Sequence, residues 1–388
     1  MIALQTFFIK KSSDFIGENI ISGEFQIQKP PDFSFLQTYG NFPRSVQIGE
    51  TLFFSDYLNI LSPISGYAHF SENKKDTLVL TLNGTFEPKE KYSKDAFQLK
   101  TLKEKILKYG NTSFDFTDET LITCLNKFSD KENSKIIFSP FSKNEFIDFQ
   151  EKIHSEFSVE LELFKKNIKE VFPKSKVLDF LSRKQKKSHY PSGDPMYFLC
   201  KYIGLPNSEK FPLHDVLFLG AETLYYLFRS LYREIPFIER MFSVNFLHKN
   251  GKFKTQKKPI FLKNGQNINF ITKNFQNRFR YFSTNSIYTL PVFFPSTDNF
   301  FLDIYSDTHL NLVAKNPVQK KELPCIDCKD CSLFCPVNLK PRNILDENDK
   351  SFQSELCIEC GLCTVYCPSG INFRKRISDK KRLRHVGS

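Results

Sequence analysis

Eight of the ten cysteines fall in two matching runs, Cys325, Cys328, Cys331, Cys335 and then Cys357, Cys360, Cys363, Cys367, and a proline follows the last cysteine of each run. A C-x2-C-x2-C loop wraps three corners of a compact body that needs four thiolates, so the fourth ligand must come from elsewhere. The spacing therefore predicts two [4Fe-4S] clusters with crossed ligands. Cys325, Cys328 and Cys331 with Cys367 hold one, and Cys357, Cys360 and Cys363 with Cys335 hold the other. Crossed ligation puts the clusters side by side. Pro336 and Pro368 each remove a backbone donor and turn the chain away, which suits a ligand at the end of a short helix.

Structural zinc would use two C-x2-C pairs separated by a longer spacer, with no third cysteine running on into C-P. Disulfides would need a secretory context, and residues 1–10 show no basic flank leading into a long apolar core, so no signal peptide is expected. Cys124 and Cys200 lie outside the pattern and read as inert core residues.

A chain of 388 residues, 40% hydrophobic, is too long for one ordinary core and predicts two to four domains. The most apolar stretch, residues 216–228, is broken by Glu222, so no transmembrane helix is expected and any membrane association is peripheral. With 43 phenylalanines and no tryptophan, phenylalanine reads as the replacement for leucine in ordinary cores. Net charge is +12, and Arg374, Lys375, Arg376, Lys380, Lys381, Arg382 and Arg384 against Asp379 place +6 of it in the tail. Such a tail is either a solvated segment or a docking strip for an acidic partner or an anionic membrane surface, where each basic residue contributes about 1 kcal/mol. The basic residues are not interleaved with stacking aromatics in a recognised module, so nucleic acid is not an expected partner.

Along the chain, Val46-Gln47-Ile48-Gly49-Glu50, Ile60-Leu61-Ser62-Pro63-Ile64-Ser65-Gly66 and Thr77-Leu78-Val79-Leu80 alternate as short strands broken by turns. Residues 100–188 read as mixed strand and helix, helical over 145–171, with 183–187 an exposed basic connection. A strand at 216–219, a helix at 221–232 and a strand at 242–246 that enters an Asn250-Gly251 turn follow. The region to about 312 reads as β-rich, and 314–324 as a charged linker.

In this order the parts resemble the C subunit of the Rnf electron-transport complex. The cluster segment carries the likeness most strongly, Pro324-Cys325-Ile326-Asp327-Cys328 through Cys335-Pro336-Val337-Asn338-Leu339 and Cys357-Ile358-Glu359-Cys360-Gly361 through Cys367-Pro368-Ser369-Gly370-Ile371. Gly49, Pro63, Ser65 and Gly66 resemble the family's lipoyl-like hairpin. His189-Tyr190-Pro191-Ser192-Gly193 resembles its Tyr-Pro-x-Gly turn, and Thr223 with Pro236-Phe237-Ile238-Glu239-Arg240 the entry to its β-grasp domain.

The resemblance implies an α/β plus β multidomain fold: a lipoyl-like β module (20–90), a degenerate complex I 51-kDa-like α/β domain (100–235), a β-grasp, SLBB-like domain (236–312), an α-helical two-[4Fe-4S] ferredoxin-like domain (320–375) and the basic tail (376–388). It also implies a peripheral subunit on the cytoplasmic side of the inner membrane. Such a subunit exchanges electrons with ferredoxin, or with NADH through FMN, and passes them to other subunits of a membrane complex.

The flavin segments depart from that pattern. Family members carry a glycine-rich loop with a Phe-Pro turn, because only glycine lets backbone amides approach the flavin phosphate so closely. The matching stretch, Tyr109-Gly110-Asn111-Thr112-Ser113-Phe114, keeps one glycine. Ile122-Thr123-Cys124-Leu125-Asn126-Lys127 lacks the family's acidic Glu-Cys-Glu-Pro turn, and Gly220 replaces an asparagine. The chain has no G-x-G-x-x-G and no P-loop. Only 15 of its residues are glycine, roughly half the average usage of about 7%. The balance favours an α/β scaffold that no longer binds FMN, over one that builds its flavin site differently. Three functions stay open: an Rnf-type relay subunit, a soluble NADH reductase resembling the iron-sulfur cobalamin reductases, and a non-redox adapter whose clusters only brace the fold.

Overall fold

The computed structural model describes residues 24–28, 36–72, 77–82, 98–116, 119–182, 190–204, 214–250, 253–289, 292–315, 321–346 and 352–386. The basic connection 183–187, His189, Gly251 and residues 316–320 of the linker 314–324 lie outside the described residues, as do parts of 20–90. The architecture is mixed α/β with several separate sheets.

Two small antiparallel sheets open the chain. Strands β1 (Glu24–Gln28), β2 (Gln37–Thr38), β3 (Arg44–Val46), β4 (Thr51–Phe54), β5 (Asn59–Leu61), β6 (Gly66–Phe70) and β7 (Thr77–Leu82) pair in the orders β1-β7-β6-β3 and β2-β4-β5. Apolar side chains from both sheets, among them Phe25, Ile27, Leu52, Phe53, Ile60, Ala68, Leu78 and Leu80, form one core. The strand expected over 46–50 is not formed past Val46, the last residue of β3. Gly49 has a φ of +79° in a turn where its amide donates to the Ser62 carbonyl at 2.8 Å, a backbone shape that favours glycine.

The next segment holds α1 (Leu99–Lys108), α2 (Leu121–Lys127), β8 (Lys135–Phe138), α3 (Phe149–Glu156), α4 (Ser158–Val171), β9 (Lys176–Asp179), α5 (Pro195–Phe198), β10 (Val216–Leu219) and α6 (Ala221–Arg233). The strands run parallel in the order β10-β8-β9. A parallel sheet needs both faces covered, and every residue of β10 is buried. The helical expectation over 145–171 resolves into two helices, interrupted at Phe157.

A third group contains β11 (Glu239–Leu247), β12 (Phe253–Thr255), β13 (Ile260–Lys263), α7 (Asn269–Phe275), β14 (Tyr281–Ser283), β15 (Phe294–Pro295) and β16 (His309–Val313). Its sheet order is β12-β11-β16-β14-β15, with β13 also on β11, and β11 runs parallel to β16. Strands β11 and β12 pair antiparallel with Leu247 opposite Phe253, and the expected Asn250-Gly251 turn falls partly outside the described residues. Helix α7 interrupts a region read as β-rich.

One continuous buried core carries residues from Leu102 through Ala314. Within it Arg240 and Glu222, each 2% exposed, form an ion pair of 2.8 Å. Arg240 also donates to the carbonyls of Ile304 and Asp307 and stacks on Phe114. A buried charge pair costs desolvation, so these added donors and acceptors are what make it tolerable.

The final segment is helical, with α8 (Asp330–Leu333), α9 (Leu362–Val365) and α10 (Phe373–Val386), and no strand occurs among its described residues. No helix among the described residues is long and apolar enough to cross a membrane.

Candidate metal centres

The two cysteine runs fold as a structural repeat. Asp327 and Glu359 share positive φ, at +58° and +52°, as do Lys329 and Gly361, at +66° and +81°, and Asn338 and Gly370, at +57° and +67°. Members of each pair stand 32 residues apart, the spacing that separates Cys325 from Cys357 and Cys335 from Cys367. Left-handed residues at fixed offsets curl each loop back on itself, so that successive amides turn inward. Lys329 precedes α8 and Gly361 precedes α9. Phe334 and Tyr366, the residues after those helices, stack with ring centroids 3.8 Å apart.

The amides meet sulfur. Leu339 N donates to Cys335 Sγ at 3.2 Å and Ile371 N to Cys367 Sγ at 3.4 Å, again matching positions, while Glu359 N donates to Cys357 Sγ at 3.3 Å.

The runs also interleave. A cavity whose empty space, mouth included, is about 360 Å³ is lined by Cys335 from the first run together with Cys357, Cys360 and Cys363 from the second. Burial first, and then charge repulsion from Cys357 and Cys335, push the Cys360 and Cys363 thiols up to about 12. Cys331 is raised by burial and by its proximity to Cys325 and Cys328. Cys367 is buried in the same small core as Cys331 and Cys363, with Phe352, Ile371, Phe373 and Ile377. Exposure varies within each set: Cys325 and Cys328 are exposed while Cys331 and Cys367 are buried, and Cys335, Cys357 and Cys360 are half-buried while Cys363 is buried.

Among the described residues, no three His, Cys, Asp or Glu side chains converge closely enough to hold a single metal ion.

Several residues that hold the site carry no spacing signal. Tyr190 donates its hydroxyl to the Cys360 carbonyl at 2.5 Å and stacks on Tyr288 with centroids 4.4 Å apart. The Tyr288 carbonyl lies where a Cβ on Gly361 would come to 2.1 Å, so only glycine fits at that place in the loop. Lys381 donates to the Cys357 carbonyl at 2.6 Å and pairs with Glu359 at 2.9 Å. Arg374 donates to the Glu359 carbonyl at 2.8 Å. Glu322 accepts the Asn372 amide and pairs with Arg376, tying the entering chain to α10.

Cys124 is buried in α2, where burial pushes its thiol up to about 12, and Cys200 is half-buried; neither joins the eight. In the stretch matched to the flavin loop, Asn111, Thr112, Ser113 and Phe114 are buried. The second flavin-matched stretch, 122–127, is helical and belongs to α2.

Compared with known protein families and with curated proteins, the chain matches none.

Proposed function

We propose that this chain is an electron-transfer subunit whose eight repeat cysteines hold two [4Fe-4S] clusters with crossed ligands. The observation that carries the reading is the cavity shared by Cys335 with Cys357, Cys360 and Cys363. A loop that supplied all four of its own thiols would have no reason to send Cys335 into its neighbour's cavity. The donor set suits the group: four cysteines line one cavity beside Glu359 and Arg374, and the backbone amides of Leu339, Glu359 and Ile371 donate to cysteine sulfur. When bound, a [4Fe-4S] cluster accepts and returns one electron at a time, at potentials of roughly −700 to +450 mV set by charge, solvent access and hydrogen bonds to sulfur.

The chain's residues act on those three settings. Amides of Leu339, Glu359 and Ile371 favour the charged thiolates they touch. Asp327 and Glu359 stand inside the ligand loops as negative charges, but Arg342 pairs with the first at 2.8 Å and Lys381 with the second at 2.9 Å. Their electrostatic pull toward the oxidised state is thereby reduced. Cys325 and Cys328 of the first set face solvent while Cys331 and Cys367 are buried, and the second set is packed against the body through Tyr190 and Tyr288.

In the finer reading, residues 20–90 form a lipoyl-like module, 100–235 a degenerate flavin-type α/β domain, 236–312 a β-grasp, SLBB-like domain and 320–375 a ferredoxin-like domain, in an Rnf-type complex. Such a subunit sits peripherally at the cytoplasmic face of the membrane. It relays electrons between ferredoxin or a nicotinamide couple and its membrane partners, and the basic tail is available to acidic surfaces. The Tyr190 hydroxyl and the Gly361 contact favour a second reading, in which the second cluster's chief task is to brace the fold.

Anaerobic titration with dithionite, followed by electron paramagnetic resonance, separates the two. A relay gives two spins per chain that appear on reduction and vanish on reoxidation. A brace gives clusters that cannot be cycled without loss of iron.

A further inference from the structure

The two segments that the family resemblance assigns to a flavin, residues 109–114 and the turn at Gly220, do meet in space, and a side chain fills their meeting point. The buried Asp115 carboxylate accepts the Gly220 amide at 3.0 Å and the Thr223 hydroxyl at 2.9 Å. Both donors belong to the start of α6, a helix of 13 residues, where unpaired amides and the helix dipole suit a phosphate. Thr223 Oγ1 in turn accepts the Phe114 amide at 3.0 Å, so the loop is fastened to the helix on both sides of the carboxylate. Gly220 permits the approach, since a Cβ there would lie 2.1 Å from Asp115 Oδ1. Glu222, on the same turn, adds a second carboxylate that Arg240 holds.

We infer that Asp115 is a built-in anion standing where a cofactor phosphate would sit, so that the α/β body is closed by its own side chain and takes no flavin. Asn111 Nδ2 and Oδ1 and Thr112 Oγ1 are buried in the same loop without a hydrogen-bond partner. They call for ordered water, because a phosphate would need the helix-start donors that Asp115 already holds. The inference stands apart from the cluster reading, since iron content tests that one, and flavin and small-anion binding test this one.

The test uses the full chain. FMN is titrated into wild-type protein by fluorescence quenching, and the melting of wild type and Asp115→Ala is followed with sodium formate or sodium chloride. Wild type is expected to leave FMN unquenched and to melt alike in both salts. Asp115→Ala is expected to melt lower, with formate, the smallest carboxylate, restoring roughly 2–4 °C that chloride does not. A Gly220→Ala change is expected to lower the melting temperature in wild type and far less in the Asp115→Ala background, because the clash partner is gone. Stoichiometric FMN binding by wild type, equal rescue by chloride, or additive costs of the two substitutions would overturn the inference. Should Asp115→Ala not fold, FMN titration of wild type alone decides it.

Discussion

Removing Cys335 and Cys357 together should cost no more iron than removing either alone. Cys335 lines the same cavity as Cys357, Cys360 and Cys363, so both substitutions empty one cluster and leave the other. At four irons per cubane, wild type holds about eight, and Cys335→Ala, Cys357→Ala and the Cys335→Ala/Cys357→Ala pair each hold about four. Cys325→Ala/Cys335→Ala takes one ligand from each cluster and leaves close to none. The variants should remain folded outside the cluster unit. Truncating half-buried Cys335 strips one amide, Leu339 N, of its partner at 3.2 Å, a loss of about 1 kcal/mol, and the main core from Leu102 to Ala314 contains none of the eight ligands. The assay is iron and acid-labile sulfide per chain after anaerobic purification, with circular dichroism to verify folding. If Cys335→Ala/Cys357→Ala lost nearly all iron while Cys325→Ala/Cys335→Ala kept about four, each run would ligate its own cluster and the crossed assignment would fail.

Three further outcomes are expected. Arg240→Met should lower stability by about 3–5 kcal/mol in urea, because it leaves Glu222 buried without its partner, and adding Glu222→Leu should restore most of it; a single-variant cost under about 1 kcal/mol would contradict the assigned role. Tyr190→Phe removes the donor to the Cys360 carbonyl and should keep iron at the wild-type count while shifting the reduction midpoint of one cluster only, so equal shifts in both would count against the placement. Burial raises Asp115 from 3.8 to about 6 and Asp307 from 3.8 to about 7. A folded-state pKa above the unfolded value gives stability that is fully present below about pH 4 and lost as pH rises through 6 and 7. Asp307→Asn should therefore flatten the decline in melting temperature from pH 4 to pH 7, and an unchanged slope would remove that carboxyl from the account.

The cysteine pattern from which the proposed clusters were read is written locally, in offsets of three residues and a following proline. The repeat of left-handed residues could also have been read, since Gly361 and Gly370 mark two of the six positions; Lys329 and Asn338 hide the equivalent geometry in the first run. Strands such as β10 and helices such as α6 followed from apolar runs and periodicity. Helix α7 did not, because its buried face, Ile268, Ile271 and Phe275, is only two turns long and set among asparagines, and the Asn267 side chain that caps the Asn269 amide marks its start only in hindsight. Asp115 was invisible for a different reason. It lies between two phenylalanines, and its partners Gly220 and Thr223 are 105 and 108 residues away, a distance that no local pattern spans. The same holds for Tyr190, whose turn was recognised but whose contact with Cys360 crosses 170 residues.

The most direct test of the central claim is metal, sulfide and flavin analysis on one anaerobically purified sample of the whole chain. The account predicts about eight irons and about eight sulfides per chain, as two cubanes require, and no stoichiometric flavin. Zinc in place of iron, without sulfide, would contradict it.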